Sequence, residues 1–108
     1  MILTVTGSSG TDYSFEGIYS DTSPLKDIPG VYLIIVKKND KYYPIDIGEA
    51  KEVKTRIENH DRKDCWKKYC PINDLFYAAY YVEHGGKTSR VKVEQDIRDY
   101  YNFPCGNK

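Results

Sequence analysis

The chain has 108 residues, 16 basic against 16 acidic side chains for a formal charge of zero, and 40% apolar residues. That length suits one domain rather than two, and the neutral balance argues against a protein whose main business is coating nucleic acid. No window nears the roughly 18 consecutive apolar residues of a membrane span, so no membrane association is expected.

Met1 to Thr6 alternates apolar and polar residues, Gly7-Ser8-Ser9-Gly10 is turn material, and Thr11 to Tyr19 returns as a second strand. Residues 1–27 therefore read as an N-terminal β-hairpin extension with a linker, covering a sheet edge. The start has no basic lead and is interrupted early by glycine and serine, so no secretory signal is expected and the location reads as cytoplasmic. Residues 28–108 carry the rest of a single 1–108 domain. Val31-Tyr32-Leu33-Ile34-Ile35-Val36 is a nearly continuous β-branched run, the pattern of a strand covered on both faces. A polar turn at 37–41 leads into a returning strand from Tyr42 to Ile47, in which Pro44 is tolerable only at an edge or a bulge.

Ala50, Val53 and Ile57 recur at helical spacing and predict a helix over 49–60, with Glu49 and Glu52 suiting its N-terminal dipole. Arg56 and His60 would share one face of it, one turn apart. A strand ending on Gly48 and running into such a helix is a candidate phosphate site. Lys51, Lys54, Arg62, Lys63, Lys67 and Lys68 crowd the same stretch, either as a phosphate-binding face or, with Glu52, Glu58, Asp61 and Asp64 between them, as a solvated helix face. A short helix around Asp64 to Tyr69 would anchor on Trp66, Asp74 to Glu83 reads as a third core strand, and a last helix capped by Thr88 or Ser89 turns Val93, Ile97 and Tyr100 or Tyr101 inward before Pro104. The fold class expected is α/β (α+β): a small mixed or antiparallel three-stranded central sheet flanked by helices, with the hairpin added. Most of the 11 tyrosines read as strand packing.

Cys65, Cys70 and Cys105 are an odd set, read as free thiols rather than a disulfide framework; with His60 they could also supply four zinc ligands, although the spacings are loose for that.

In this order the residues resemble the GIY-YIG nuclease superfamily. Gly30-Val31-Tyr32 stands where that family has its first motif, and Asp46-Ile47-Gly48 where it has its second. Arg56 lies eight residues past Gly48 and His60 four further on, as in the family, and Glu94-Gln95-Asp96-Ile97, followed by Tyr101, Pro104 and Asn107, resembles its final helix and tail. Gly17-Ile18-Tyr19 spells the motif literally, but 26 residues separate it from Asp46 against 13 for Gly30-Val31-Tyr32, and it reads as accident.

The resemblance implies an endonuclease hydrolysing phosphodiester bonds, in DNA rather than RNA, with one Mg²⁺ or Mn²⁺ held by Glu94. Arg56 would bind the scissile phosphate, Tyr32 would act as general base with a pKa lowered by nearby cations, and His60 would orient Tyr32 or donate a proton. Gly48, Lys51, Lys54 and Arg62 would contact substrate. Asp46 departs from the family, which has a tyrosine there; an aspartate could serve as a base or a second metal ligand, and Tyr42 and Tyr43 are candidates to supply the missing phenol. The alternatives are the same fold without catalysis, binding nucleic acid or protein, and an unrelated domain held by zinc. No element for reading base sequence is recognisable, so specificity would come from a partner protein, a homodimer or the structure of the nucleic acid.

Overall fold

The computed structural model describes residues 2–71 and 74–105. Within them the elements are β1 (Ile2–Thr6), β2 (Asp12–Tyr19), β3 (Gly30–Lys38), β4 (Lys41–Ala50), α1 (Val53–Glu58), α2 (Lys63–Lys67), β5 (Phe76–Tyr81) and α3 (Gly86–Arg98). The class is α+β, but the expected three-stranded sheet is corrected. One antiparallel sheet of five strands runs in the order β1-β2-β5-β3-β4. The hairpin is part of it, because β2 pairs along β5 through Glu16↔Ala79, Gly17↔Ala78 and Tyr19↔Tyr77. Alternation in residues 11–19 marks a half-buried strand but says nothing of its partner, and β5 offers the edge that β2 covers.

Asp96 of α3 fixes the tip of the hairpin. Its carboxylate accepts from the Ser9 amide, the Ser9 hydroxyl and the Tyr13 hydroxyl at 2.7–2.8 Å, and its carbonyl accepts from the Ser8 amide. A Cβ on Gly7 would lie 2.1 Å from the Asp96 carboxylate, so a side chain there would push that carboxylate from its bonds to the hairpin. The first two strands therefore help hold the helix that carries Glu94.

The interior strand β3, between β5 and β4, is buried from Gly30 to Val36. One of its faces, with Tyr32, Ile34 and Val36, packs with Val53, Ile57 and Trp66 of α1 and α2; the other, with Val31, Leu33 and Ile35, packs with Ile97 of α3 and with Phe103. Burial on both faces is what its unbroken apolar run requires. Gly17-Ile18-Tyr19 lies in β2, separated from β4 by β5 and β3, whereas Gly30-Val31-Tyr32 pairs directly with Gly48 to Ala50.

Two local features differ from expectation and shape the site. The helix predicted over 49–60 is shorter, because Glu49 and Ala50 stay in the β-ladder opposite Val31 and Gly30. Its start is fixed from outside, by the Asp27 carboxylate accepting from the Thr55 amide and hydroxyl. On the edge strand β4 the register slips between Asp46, opposite Ile34, and Pro44, opposite Ile35, leaving Ile45 as the extra residue. Proline has no amide hydrogen to give the ladder, so a bulge beside it is natural, and this one turns Asp46 to the Tyr32 face.

Candidate functional site

Tyr32 projects from β3 between small neighbours, Gly48 on β4 and Ala79 on β5. Gly48 is there for the ring: a Cβ on it would lie 2.2 Å from the Tyr32 hydroxyl oxygen. That oxygen lies 2.6 Å from His60 Nε2. The other ring nitrogen, Nδ1, accepts the Arg62 amide at 3.0 Å, so in the neutral imidazole the proton sits on Nε2 and is donated to Tyr32. The phenol keeps its own proton for another partner. His60 stands just beyond the end of α1 rather than on it, since Asn59 closes the helix, yet it meets Tyr32 as the resemblance implied.

The electrostatics of this pair run against one expected role. Burial pushes the Tyr32 phenol up to about 12, more than Arg56 and Arg62 can offset. Tyr32 is thus a protonated donor at neutral pH rather than the phenolate that a general base requires. Burial, reinforced by Arg56 and Arg62, lowers His60 from 6.5 to about 4. A histidine buried neutral stabilises the fold fully above its unfolded pKa and loses that contribution as pH falls, because the unfolded chain takes a proton that the native one refuses. We expect about 3 kcal/mol to disappear between pH 6.5 and 4. Urea melts of wild type and His60→Gln across that range check it: equal slopes against pH would refute a neutral buried His60. The depressed carboxylates of Asp21, Asp27, Asp61 and Asp96 have ordinary values of 3.8 and act lower still.

Asp46 is fully buried and heavily used. Its oxygens accept from Arg62 Nε at 2.9 Å, Arg62 Nη2 at 3.1 Å, Trp66 Nε1 at 2.7 Å and the Ile47 amide at 2.8 Å. A carboxylate so engaged has no capacity for a second metal ion or a proton-transfer role. Tyr42 and Tyr43 do not replace the missing phenol either. They pair with Lys37 and Val36, and Val36 is four residues along β3 from Tyr32, roughly 13 Å at strand rise.

Arg56, on α1, bonds Asp61 at 3.1 Å; its side chain is 38% exposed and that of Asp61 76%. Asp61 also comes within 3.4 Å of His60 Nδ1, so an exposed, displaceable anion already sits where Arg56 and His60 meet. Glu94, on α3, bonds Arg98 at 2.6 Å, and Arg98 also donates to the Ile47 carbonyl of β4. Glu49 is tied to Arg90 at 2.8 Å. Glu94 lies close enough to influence the Tyr32 phenol electrostatically. A hard divalent ion accepts a single carboxylate when phosphate and water complete its shell, and Glu94 has that chemistry with Arg98 as competitor. Among the described residues no cluster of three or more His, Cys, Asp or Glu forms a metal site.

Compared with protein families, curated proteins and solved structures, the chain matches none. Its chemistry must therefore be argued from the arrangement itself. That arrangement joins Tyr32, His60, Arg56, Arg62 and Asp46 on one face of the sheet, while Glu94, on the helix packed against the opposite face, bonds Arg98 and touches the group through its field on Tyr32. Gly48 serves the Tyr32 ring. Lys51 is exposed beside α1 and Lys54 half-buried on it, while Lys63, Lys67 and Lys68 line an open groove of about 850 Å³ along α2. Asn107 lies outside the described residues. The reading of three free thiols is corrected: Cys65 and Cys105 form a disulfide, and Cys70 is the free cysteine among the described residues. The pairing takes two of the four zinc candidates out of play. Sequence reasoning missed Trp66 and Arg62 as partners of Asp46, and Arg98 as partner of Glu94; only the last had a visible signal, its i,i+4 spacing. Among the described residues no helix is long and apolar enough to cross a membrane.

Proposed function

We propose that the chain is a divalent-metal-dependent endonuclease of the GIY-YIG type, hydrolysing phosphodiester bonds in DNA. The observation that carries this reading is the 2.6 Å bond between Tyr32 and a neutral His60, with the guanidinium groups of Arg56 and Arg62 in electrostatic reach of both. Arg56 would exchange its exposed partner Asp61, which it meets at one point, for the scissile phosphate, whose two non-bridging oxygens can take the guanidinium fork at two. Tyr32 and His60 are 1% and 5% exposed, so substrate has to open the site to reach them, and Asp61, 3.4 Å from His60 Nδ1, is the exposed group on its His60 side. Tyr32 acts as donor, its proton not being engaged on His60: as water attacks phosphorus and the P–O bond to the leaving group breaks, the phenol proton passes to the departing oxygen, and the phenolate, held by the His60 Nε2–H bond, is reprotonated by the proton that the attacking water gives up to solvent. Glu94 would hold one Mg²⁺ or Mn²⁺, which when bound neutralises phosphate charge and polarises the leaving oxygen. Nucleic acid as substrate goes with a cytoplasmic location; the Cys65–Cys105 disulfide points the other way, since such bonds are rare in that compartment.

A second reading, the same fold binding nucleic acid or a partner protein without cutting it, is favoured by one observation: Arg98 neutralises the Glu94 carboxylate. The deciding test is cleavage of plasmid, branched and single-stranded DNA with Mg²⁺ or Mn²⁺. Arg56→Ala and Glu94→Ala should each slow it by about 100-fold or more, the effect of deleting one charge-stabilising group. Metal-dependent cleavage that survives both substitutions removes the site; binding without cleavage selects the second reading.

A further inference from the structure

Asp46 stands where a nuclease of the resembled type has a tyrosine, and the structure shows what the exchange does locally. The aspartate takes the Nε and Nη2 edge of the Arg62 guanidinium in a two-point grip. Of the five N–H donors of a guanidinium, two are engaged by Asp46, leaving three on the far side of the fork. The Arg62 side chain is 32% exposed although its carboxylate partner is fully buried, so the group is anchored at one edge and open to solvent elsewhere. The same residue's backbone amide holds His60 Nδ1, and its charge acts on the Tyr32 phenol beside that of Arg56. Trp66 secures Asp46 from α2 with its indole N–H at 2.7 Å. An arginine gripped at one edge, partly exposed and in electrostatic reach of the pair that carries the proposed chemistry, is suited to meet an anion.

Resting on the nuclease reading, we propose that Asp46 and Arg62 act as one unit in place of the second-motif tyrosine: Asp46 positions, and Arg62 donates to a substrate phosphate oxygen beside the one held by Arg56. A buried carboxylate is needed because a lone arginine would spread over many rotamers, whereas a two-point grip fixes the plane of the fork. Lysine cannot substitute, since a single ammonium cannot grip Asp46 at two points and also offer a planar fork to phosphate.

The test uses the full chain, a short DNA duplex and its branched counterpart, with binding followed across salt and cleavage measured under single-turnover conditions. Arg62→Gln should lower the slope of log affinity against log salt by about 0.9, the signature of one lost phosphate contact on duplex DNA. Arg62→Lys keeps the charge against Asp46 and hence the fold; it should keep the slope but slow the cleavage step about tenfold or more. Asp46→Asn leaves Arg62 charged but unaimed, and should slow cleavage similarly while the Asp46→Asn/Arg62→Gln double variant falls little further. Should a variant fail to fold by circular dichroism, Arg62→Lys alone decides. Cleavage by Arg62→Lys at the wild-type rate, or an unchanged salt slope in a folded Arg62→Gln, overturns the unit while leaving the nuclease reading intact. Failure of the wild type itself to bind or cut either DNA overturns both at their common root.

Discussion

Asp46→Ala should destabilise the protein by about 3–5 kcal/mol, the range for removing one partner of a buried ion pair. Four donors lose their acceptor at once: Arg62 Nε and Nη2, the Trp66 indole and the Ile47 amide. Arg62 can turn part of its loss to water, being 32% exposed; Trp66 cannot, because it is fully buried and its N–H has no route to solvent. The penalty therefore concentrates on the indole and the amide, each of which leaves an unsatisfied donor worth about 1–3 kcal/mol. A double-mutant cycle separates the contributions. Trp66→Phe should cost measurably less in the Asp46→Ala background than in wild type, because the indole donor has already lost its acceptor there. Urea melts that place Asp46→Ala within about 1 kcal/mol of wild type would show the network to be dispensable.

The size of that loss does not make the pair a stabilising device. Two charges brought out of water seldom gain more than well-packed apolar side chains of similar volume would. Burying Asp46 thus calls for another explanation, and the proposed role of Arg62 provides one: the two-point grip fixes a guanidinium in electrostatic reach of Tyr32 and His60.

How much of this was legible in the sequence varies with the distance over which each feature is decided. The apolar run of β3 announced burial on both faces, and the spacing of Val93 and Ile97 announced the inward stripe of α3, because each signal is contained within one element. Pro44 announced an edge or a bulge, and β4 has both. What the bulge does, turning Asp46 to the Tyr32 face, depends on a pairing partner that β4 does not encode alone. The same limit explains the sheet. Residues 11–19 alternate as a strand should, but their docking on β5 is a long-range choice. At the site, Tyr32 and His60 could be picked out by order and spacing, while the protonation of Tyr32 could not: its raised pKa follows from burial beneath a glycine, a property of the packed state. Helix length failed for a related reason, since Glu49 and Ala50 suit a helix locally and are claimed by the ladder with β3.

The disulfide is the clearest case of a long-range decision, and its loss should be the other large effect. Cys65 and Cys105 are 40 residues apart in sequence, with Cα atoms 5.9 Å apart in the fold. What brings them together is the tail, whose Cys105 amide donates to the Ile45 carbonyl at the β4 bulge, and Trp66, which seats α2 by bonding Asp46. Closing a loop of that length restricts the unfolded chain by about 4 kcal/mol in the chain-entropy account, a large share of the roughly 5–15 kcal/mol that holds a domain together. Reduction, or the Cys65→Ser/Cys105→Ser double variant, should then lower the melting midpoint by roughly 15–30 °C, whereas Cys70→Ser should scarcely move it. Thiol titration in denaturant without reductant gives the independent reading: Cys70 alone should react. Three reactive thiols, together with melts indifferent to reductant, would remove the crosslink from the account. The loss should also be felt at the site, because α2 carries Trp66 and follows directly on Arg62. A chain reduced but still folded should therefore show a looser Asp46–Arg62 grip, readable as a weaker energetic coupling between Asp46 and Trp66 in the reduced protein than in the oxidised one.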